Sequence, residues 1–165
     1  KPDSEDICFI PDGNYKKFLE QNSSIVPKEG NIVNRKGEIL GRHTGLYNYT
    51  IGQRKGLGIS YKAPLFVIGF NKERNEVIVG EQQELYRKEM KVKEVNLLLM
   101  DKIEGPLDVT VKIRYASKPA EAIINQTEAG NIQVIFKEPQ RGITPGQSAV
   151  FYIGDVVVGG GKIQD

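Results

Sequence analysis

Leu107-Asp108-Val109-Thr110-Val111-Lys112-Ile113-Arg114-Tyr115 alternates apolar and polar side chains without a break. Successive side chains of an extended chain point to opposite faces. The period of two therefore predicts a strand with 107, 109, 111, 113 and 115 toward a core, Arg114 toward solvent and Tyr115 with the buried set. The signal repeats at short spacing downstream, in Ala120 to Ile124, Asn131 to Phe136 and Ser148 to Ile153. Gly154-Asp155 then reads as a two-residue turn into a last strand, its leading glycine suited to type II′. Gly159-Gly160-Gly161 is poor strand material and marks a close backbone approach or a bulge.

Working upstream, Pro64 to Phe70 and Glu76 to Gly80 flank Asn71-Lys72-Glu73-Arg74-Asn75 as a hairpin would. Gly30 to Val33 and Glu38 to Gly41 flank Asn34-Arg35-Lys36-Gly37 in the same way. Polar Tyr86-Arg87-Lys88-Glu89 reads as a boundary, which divides the chain into residues 1–84 and 85–165. Many short strands, frequent turns and 18 glycines place the fold in the mainly β class, as a small closed barrel or sandwich. Only Tyr15 to Gln21 has a helical stripe, through Tyr15, Phe18 and Leu19, behind a turn at Pro11-Asp12-Gly13-Asn14 where Asp12 can act as N-cap.

Composition narrows the function classes. The 165 residues are 39% hydrophobic and 27% charged, the balance of a soluble globular protein with a core. Lys plus Arg number 23 against 21 acidic residues, so RNA contacts must come from local patches rather than from the net charge of +2. One cysteine excludes an internal disulfide, and with one histidine it cannot supply a four-ligand zinc site, so no metal is expected. No apolar run approaches the roughly 20 residues needed to cross a bilayer, and no signal peptide opens the chain. A cytoplasmic protein is expected. The first residue is Lys1, which reads as a piece of something longer.

Cys8 is the candidate for chemistry. A lone cysteine is often a small core hydrophobe. Here it stands three residues before the turn at Pro11, and backbone N–H groups at a helix start would favour its reactive thiolate, while Asp3, Glu5 and Asp6 oppose this. His43, the sole histidine, is a turn residue bonded to local backbone or, paired with Cys8, the base of a hydrolase. Gly52-Gln53-Arg54-Lys55-Gly56 opens a glycine-rich loop with two adjacent cations, either a solvated turn or a phosphate cradle or active-site wall. It matches neither common nucleotide-binding spacing. Arg114 beside Tyr115 is a surface charge next to a rim aromatic, or a phosphate grip next to a base-stacking face.

Four stretches in order, Asp3 to Gly13 around Cys8, Tyr49 to Ile59, Thr144 to Tyr152 and Gly159 to Gly161, resemble the tRNA-specific 2-thiouridylases. Glu5 and Asn14 depart from the glutamine and aspartate usual there. The resemblance implies a small central β domain followed by a translation-factor-like β-barrel. It implies an enzyme that puts sulfur at C2 of the wobble uridine in tRNAs for lysine, glutamate and glutamine, with Cys8 as the persulfide carrier and a sulfur-donor protein or cysteine desulfurase as partner. Arg114, Tyr115 and Gln147 would contact tRNA. ATP would be bound by a preceding domain that also carries a first cysteine, so this piece alone is expected to be inactive. The alternative is a non-catalytic RNA- or protein-binding β-barrel module.

Overall fold

A computed structural model describes residues 28–164; Cys8, the Asp12 turn and the helix expected over Tyr15 to Gln21 lie outside the described residues. Ten strands form two sheets. The first combines β1 (Gly30–Asn34), β2 (Ile39–His43), β3 (Phe66–Asn71) and β4 (Glu76–Gly80) in the order β2-β1-β4-β3. Both expected hairpins form, with Gly37 at φ 82 in the first and Asn75 at φ 53 in the second. Between them β1 and β4 pair in parallel, which the hairpin pattern alone did not specify.

A parallel pair needs cover on both faces, and the sequence supplies it. Ile32, Val67, Val77 and Val79 face one way, under Leu57 and the half-buried Leu46, Tyr49 and Ile59 of the long β2–β3 connection. Phe66 and Ile68 face the other way and meet Leu85 and Ile51. This is why Leu65 to Ile68 is an unbroken apolar run, buried throughout, rather than an alternating one.

The second sheet closes on itself: β5 (Tyr86–Leu97), β6 (Leu107–Lys112), β7 (Ala120–Gln126), β8 (Ile132–Arg141), β9 (Ser148–Ile153) and β10 (Val156–Gln164) form a barrel in the order β10-β5-β8-β7-β6-β9. Closure leaves no unpaired edge. Every neighbouring pair is antiparallel. Alternate residues such as Val109, Val111, Ala122, Ile124, Val134, Phe136 and Phe151 fill the interior. Among the described residues no helix is long and apolar enough to cross a membrane.

Tyr86-Arg87-Lys88-Glu89, read as a boundary, forms the exposed start of β5, paired with the end of β8. β6 ends at Lys112, so Tyr115 leaves the buried set and stands 96% exposed. Gly159 to Gly161 lie within a strand, and the expected close approach is real. A Cβ on Gly160 would stand 2.5 Å from the Ala149 carbonyl oxygen and one on Gly161 2.5 Å from that of Lys93. One on Gly159 would meet the Asn96 oxygen. The expected bulge is there too, where the β10–β5 register slips between Gly160 and Lys162.

Candidate nucleic-acid interface

An antiparallel barrel with strands of alternating direction has two rims, each built from every second connection. One rim collects the start of β5, the β6–β7 connection and the β8–β9 connection. It carries Arg87, Lys88, Lys112, Arg114, Lys118 and Arg141, none with an ion-pair partner among the described residues, against Glu89 on β5 and Glu138 on β8. The other rim carries exposed Asp101, Glu104, Glu128 and Asp155, with Lys102 neutralised by Glu104 at 2.6 Å. Fields of opposite sign at the two ends steer a polyanion to the first.

Arg114, Tyr115 and Gln147 all fall on the basic rim. Lys112 pairs with Val150 in the β6–β9 ladder. The same register carried three residues further sets Tyr115 against Gln147, although the chain has by then left the ladder. What turns it out is Ser117, whose hydroxyl donates to the Arg114 carbonyl at 2.8 Å and accepts the Arg114 N–H at 3.2 Å. Arg114 is exposed, and its guanidinium donates to the Arg141 carbonyl at 3.0 Å, tying the β6–β7 turn to the segment that leads to Gln147. Gln147 holds that segment in place with its backbone, donating to Thr144 at 3.3 Å and accepting from Ile163 at 2.8 Å, which leaves its exposed side chain outward. The Lys112 ammonium sits 6.0 Å from the Tyr115 ring centroid. The rim thus offers a guanidinium, an ammonium and an uncovered aromatic face, the groups that hold phosphates and unstacked bases.

The glycine-rich loop lies apart, on the sheet. The Gly52 N–H donates to Val67 and the Val67 N–H to Gln53, at 2.8 and 2.9 Å, docking the loop on β3. The Gln53 side chain closes it, accepting from the Thr50 N–H and donating to the Lys55 carbonyl, both at 3.0 Å. Two N–H groups of the supposed cradle, Gly52 and Gln53, are therefore spent inside the fold. Arg54 and Lys55 are exposed, and Arg54, Gly56 and Gly58 line an open hollow of about 430 Å³ with Tyr61 and Lys62.

His43 is 1% exposed. Its Nδ1 accepts the Gly45 N–H at 3.1 Å, so the proton is on Nε2, which donates to the Asn75 carbonyl at 2.9 Å. The ring stands edge-on to Tyr49, whose phenol burial raises above its usual pKa. With both nitrogens committed to backbone, His43 has no lone pair left for a thiol, and the hydrolase reading loses its base. Arg87 and Arg141 were not singled out from sequence; only their place beside Arg114 on one rim marks them.

The comparisons with known proteins agree with this architecture. Residues 16–81 match the family model described as a tRNA methyl transferase PRC-barrel domain, and residues 87–163 one described as an aminomethyltransferase beta-barrel domain. The chain is 49% identical over 164 residues to a protein of Acetivibrio thermocellus named tRNA-specific 2-thiouridylase MnmA, covering 99% of this chain and 46% of that protein. It is 52% identical over 172 residues to the protein of that name in Desulfitobacterium hafniense, with 99% and 46% covered. With that of Clostridioides difficile it shares 47% over 164 residues, with 99% and 45% covered. It spans just under half the length of these curated relatives.

Proposed function

The chain belongs to the family of tRNA-specific 2-thiouridylases, and from that premise we propose that it is the tRNA-holding part of an enzyme that replaces an oxygen of a tRNA uridine with sulfur. The observation that carries this is 49% and 52% identity over 99% of the chain to proteins of that name. The basic rim supports it independently, since Arg114, Tyr115 and Gln147 offer phosphate and base contacts on one surface. Such contacts set the position of the tRNA and leave its sequence unread. The uridine is the wobble base of tRNAs for lysine, glutamate and glutamine.

Cys8 is the sulfur carrier of this proposal. As a thiolate it attacks the terminal sulfur of a donor protein's persulfide, the donor leaves as thiolate, and Cys8 keeps that sulfur for the uridine. ATP, which the family resemblance implies, finds no cradle among the described residues. The one loop rich enough in glycine spends its Gly52 and Gln53 N–H groups on Val67 and Thr50 and runs on into extended chain rather than a helix. As the family resemblance implies, ATP would be bound by a preceding domain.

The test is 2-thiouridine formation by the full-length protein with tRNA, ATP and a persulfide donor, read by mass spectrometry of the digested tRNA. Cys8→Ser should reduce the product to background while leaving tRNA binding intact. Unchanged thiolation by that variant would remove Cys8 from the reaction and leave the non-catalytic binding module as the better account.

A further inference from the structure

We infer that the groove between the four-stranded sheet and the basic rim is a second RNA-backbone site, in which Arg74 and Arg87 hold phosphates of the strand that continues past Gln147; this rests on the function proposed above. The groove has a volume of about 730 Å³, and Thr144 and Pro145, the residues leading to Gln147, form one of its walls. It is thus continuous with the surface that carries Arg114 and Tyr115.

Its two walls are fixed to one another before any ligand arrives. Leu85, at the junction of sheet and barrel, is buried with Phe66 and Ile68. The Gly142 N–H donates to the Leu85 carbonyl at 2.9 Å, and the Arg141 guanidinium lies 5.9 Å from the centroid of the Phe66 ring. Arg35, on the sheet side, pairs at 3.4 Å with Glu84 of the short turn that ends at Leu85. A groove held in this way does not lose binding energy to ordering its walls.

The charge arrangement selects the occupant. Arg74 from the β3–β4 turn and Arg87 from β5 approach the groove from opposite sides, both exposed and neither with an ion-pair partner among the described residues. Glu73 and Glu76 also line it beside Arg74, but they stand against four cations, Arg35, Lys72, Arg74 and Arg87, so the lining as a whole is positive. The floor between is apolar, with Ile68 and the half-buried Phe70, which also packs against the core of the sheet. Cations on the walls of a groove are what the backbone of a single RNA strand requires.

The experiment measures tRNA binding by the full-length protein at a series of salt concentrations, for wild type, Arg74→Ala, Arg87→Ala and the double variant, with thermal unfolding to confirm that each is folded. Each lost phosphate contact should flatten the slope of log K against log salt by about 0.7 to 0.9. At 0.1 M salt that is a loss of about five- to eightfold per substitution. Lys102→Ala, on the opposite rim, should change neither. Unaltered slopes in the arginine variants, as expected were the groove to take a protein segment, would overturn the inference while leaving the function proposed above standing. An equal loss in Lys102→Ala would overturn it too, by showing binding to diffuse charge. A wild-type protein with no salt-dependent tRNA binding would end both.

Discussion

Replacing His43 by alanine separates a structural histidine from a catalytic one. The ring joins three pieces of chain: β2, which it ends, the Gly45 turn through Nδ1, and the β3–β4 turn through Asn75. Asn75 passes the connection on, since its side-chain amide donates to the Glu29 carbonyl at 2.8 Å just before β1. Alanine leaves one buried N–H and one buried carbonyl without partners, at about 1–3 kcal/mol each, and empties a fully buried site besides. We expect a loss of about 3–5 kcal/mol, a large fraction of a domain's stability. His43→Asn restores an acceptor near Nδ1 and His43→Gln a donor near Nε2, so each should recover about 1 kcal/mol. The assay is urea unfolding of the full-length protein followed by circular dichroism, together with the rate of Cys8 alkylation by iodoacetamide in the folded state. Stability should fall while the alkylation rate stays within about twofold. An unchanged unfolding midpoint, or alkylation slowed tenfold with the fold intact, would refute the structural assignment.

Gly160→Ala should destabilise the barrel by about 1–3 kcal/mol, because the new methyl meets the Ala149 carbonyl at 2.5 Å and backbone cannot swing aside as a side chain would; a melting temperature equal to wild type would show that the strands can part. Glu94 has its pKa lowered, chiefly by the hydrogen bond from Lys162, which together with the charges of Lys162 and Lys93 outweighs an opposing desolvation. A carboxyl with a depressed folded-state pKa adds stability above its unfolded pKa and loses it as pH falls through the folded one. Thermal unfolding from pH 7 downward should therefore show a shallower acid limb in Glu94→Gln than in wild type below the ordinary glutamate range, with parallel curves counting against it.

How far the fold was legible follows from where the period of two holds. In β6 it holds through Ile113, 4% exposed, and fails at Tyr115 because Ser117 captures the Arg114 backbone and bends the chain out of the ladder. The hydroxyl and the nearby Pro119 were in the sequence, but nothing local ranks a turn above two more residues of strand. β5 was missed for a different reason. Its first four residues are exposed, and its inward set runs Met90, Val92 and then Val95, Leu97. The phase slips because residues 94 and 95 oppose Gly161 alone, with Glu94 at φ 51 in the bulge. A bulge that inverts parity midway hides a strand from any search for alternation. The glycine triplet, read as a close approach or a bulge, is the other half of that feature.

The candidate site was legible as residues and illegible as a surface. Arg114 and Gln147 are 33 positions apart, and no periodicity joins them; barrel closure does, by pairing β6 with β9 so that the end of one strand meets the start of the other. The same closure explains why the net charge of +2 says little about the partner. Alternating strand direction sorts the connections into two rims, so Arg114, Lys118 and Arg141 collect at one end and Asp101, Glu128 and Asp155 at the other. A near-neutral chain thereby presents a polar axis, and an RNA backbone approaching it meets attraction at one rim and repulsion at the other. At the attractive rim, the bond from Arg114 to the Arg141 carbonyl has a second consequence. It ties two connections together, so loss of the Arg114 side chain frees the segment ahead of Gln147 as well as removing a charge.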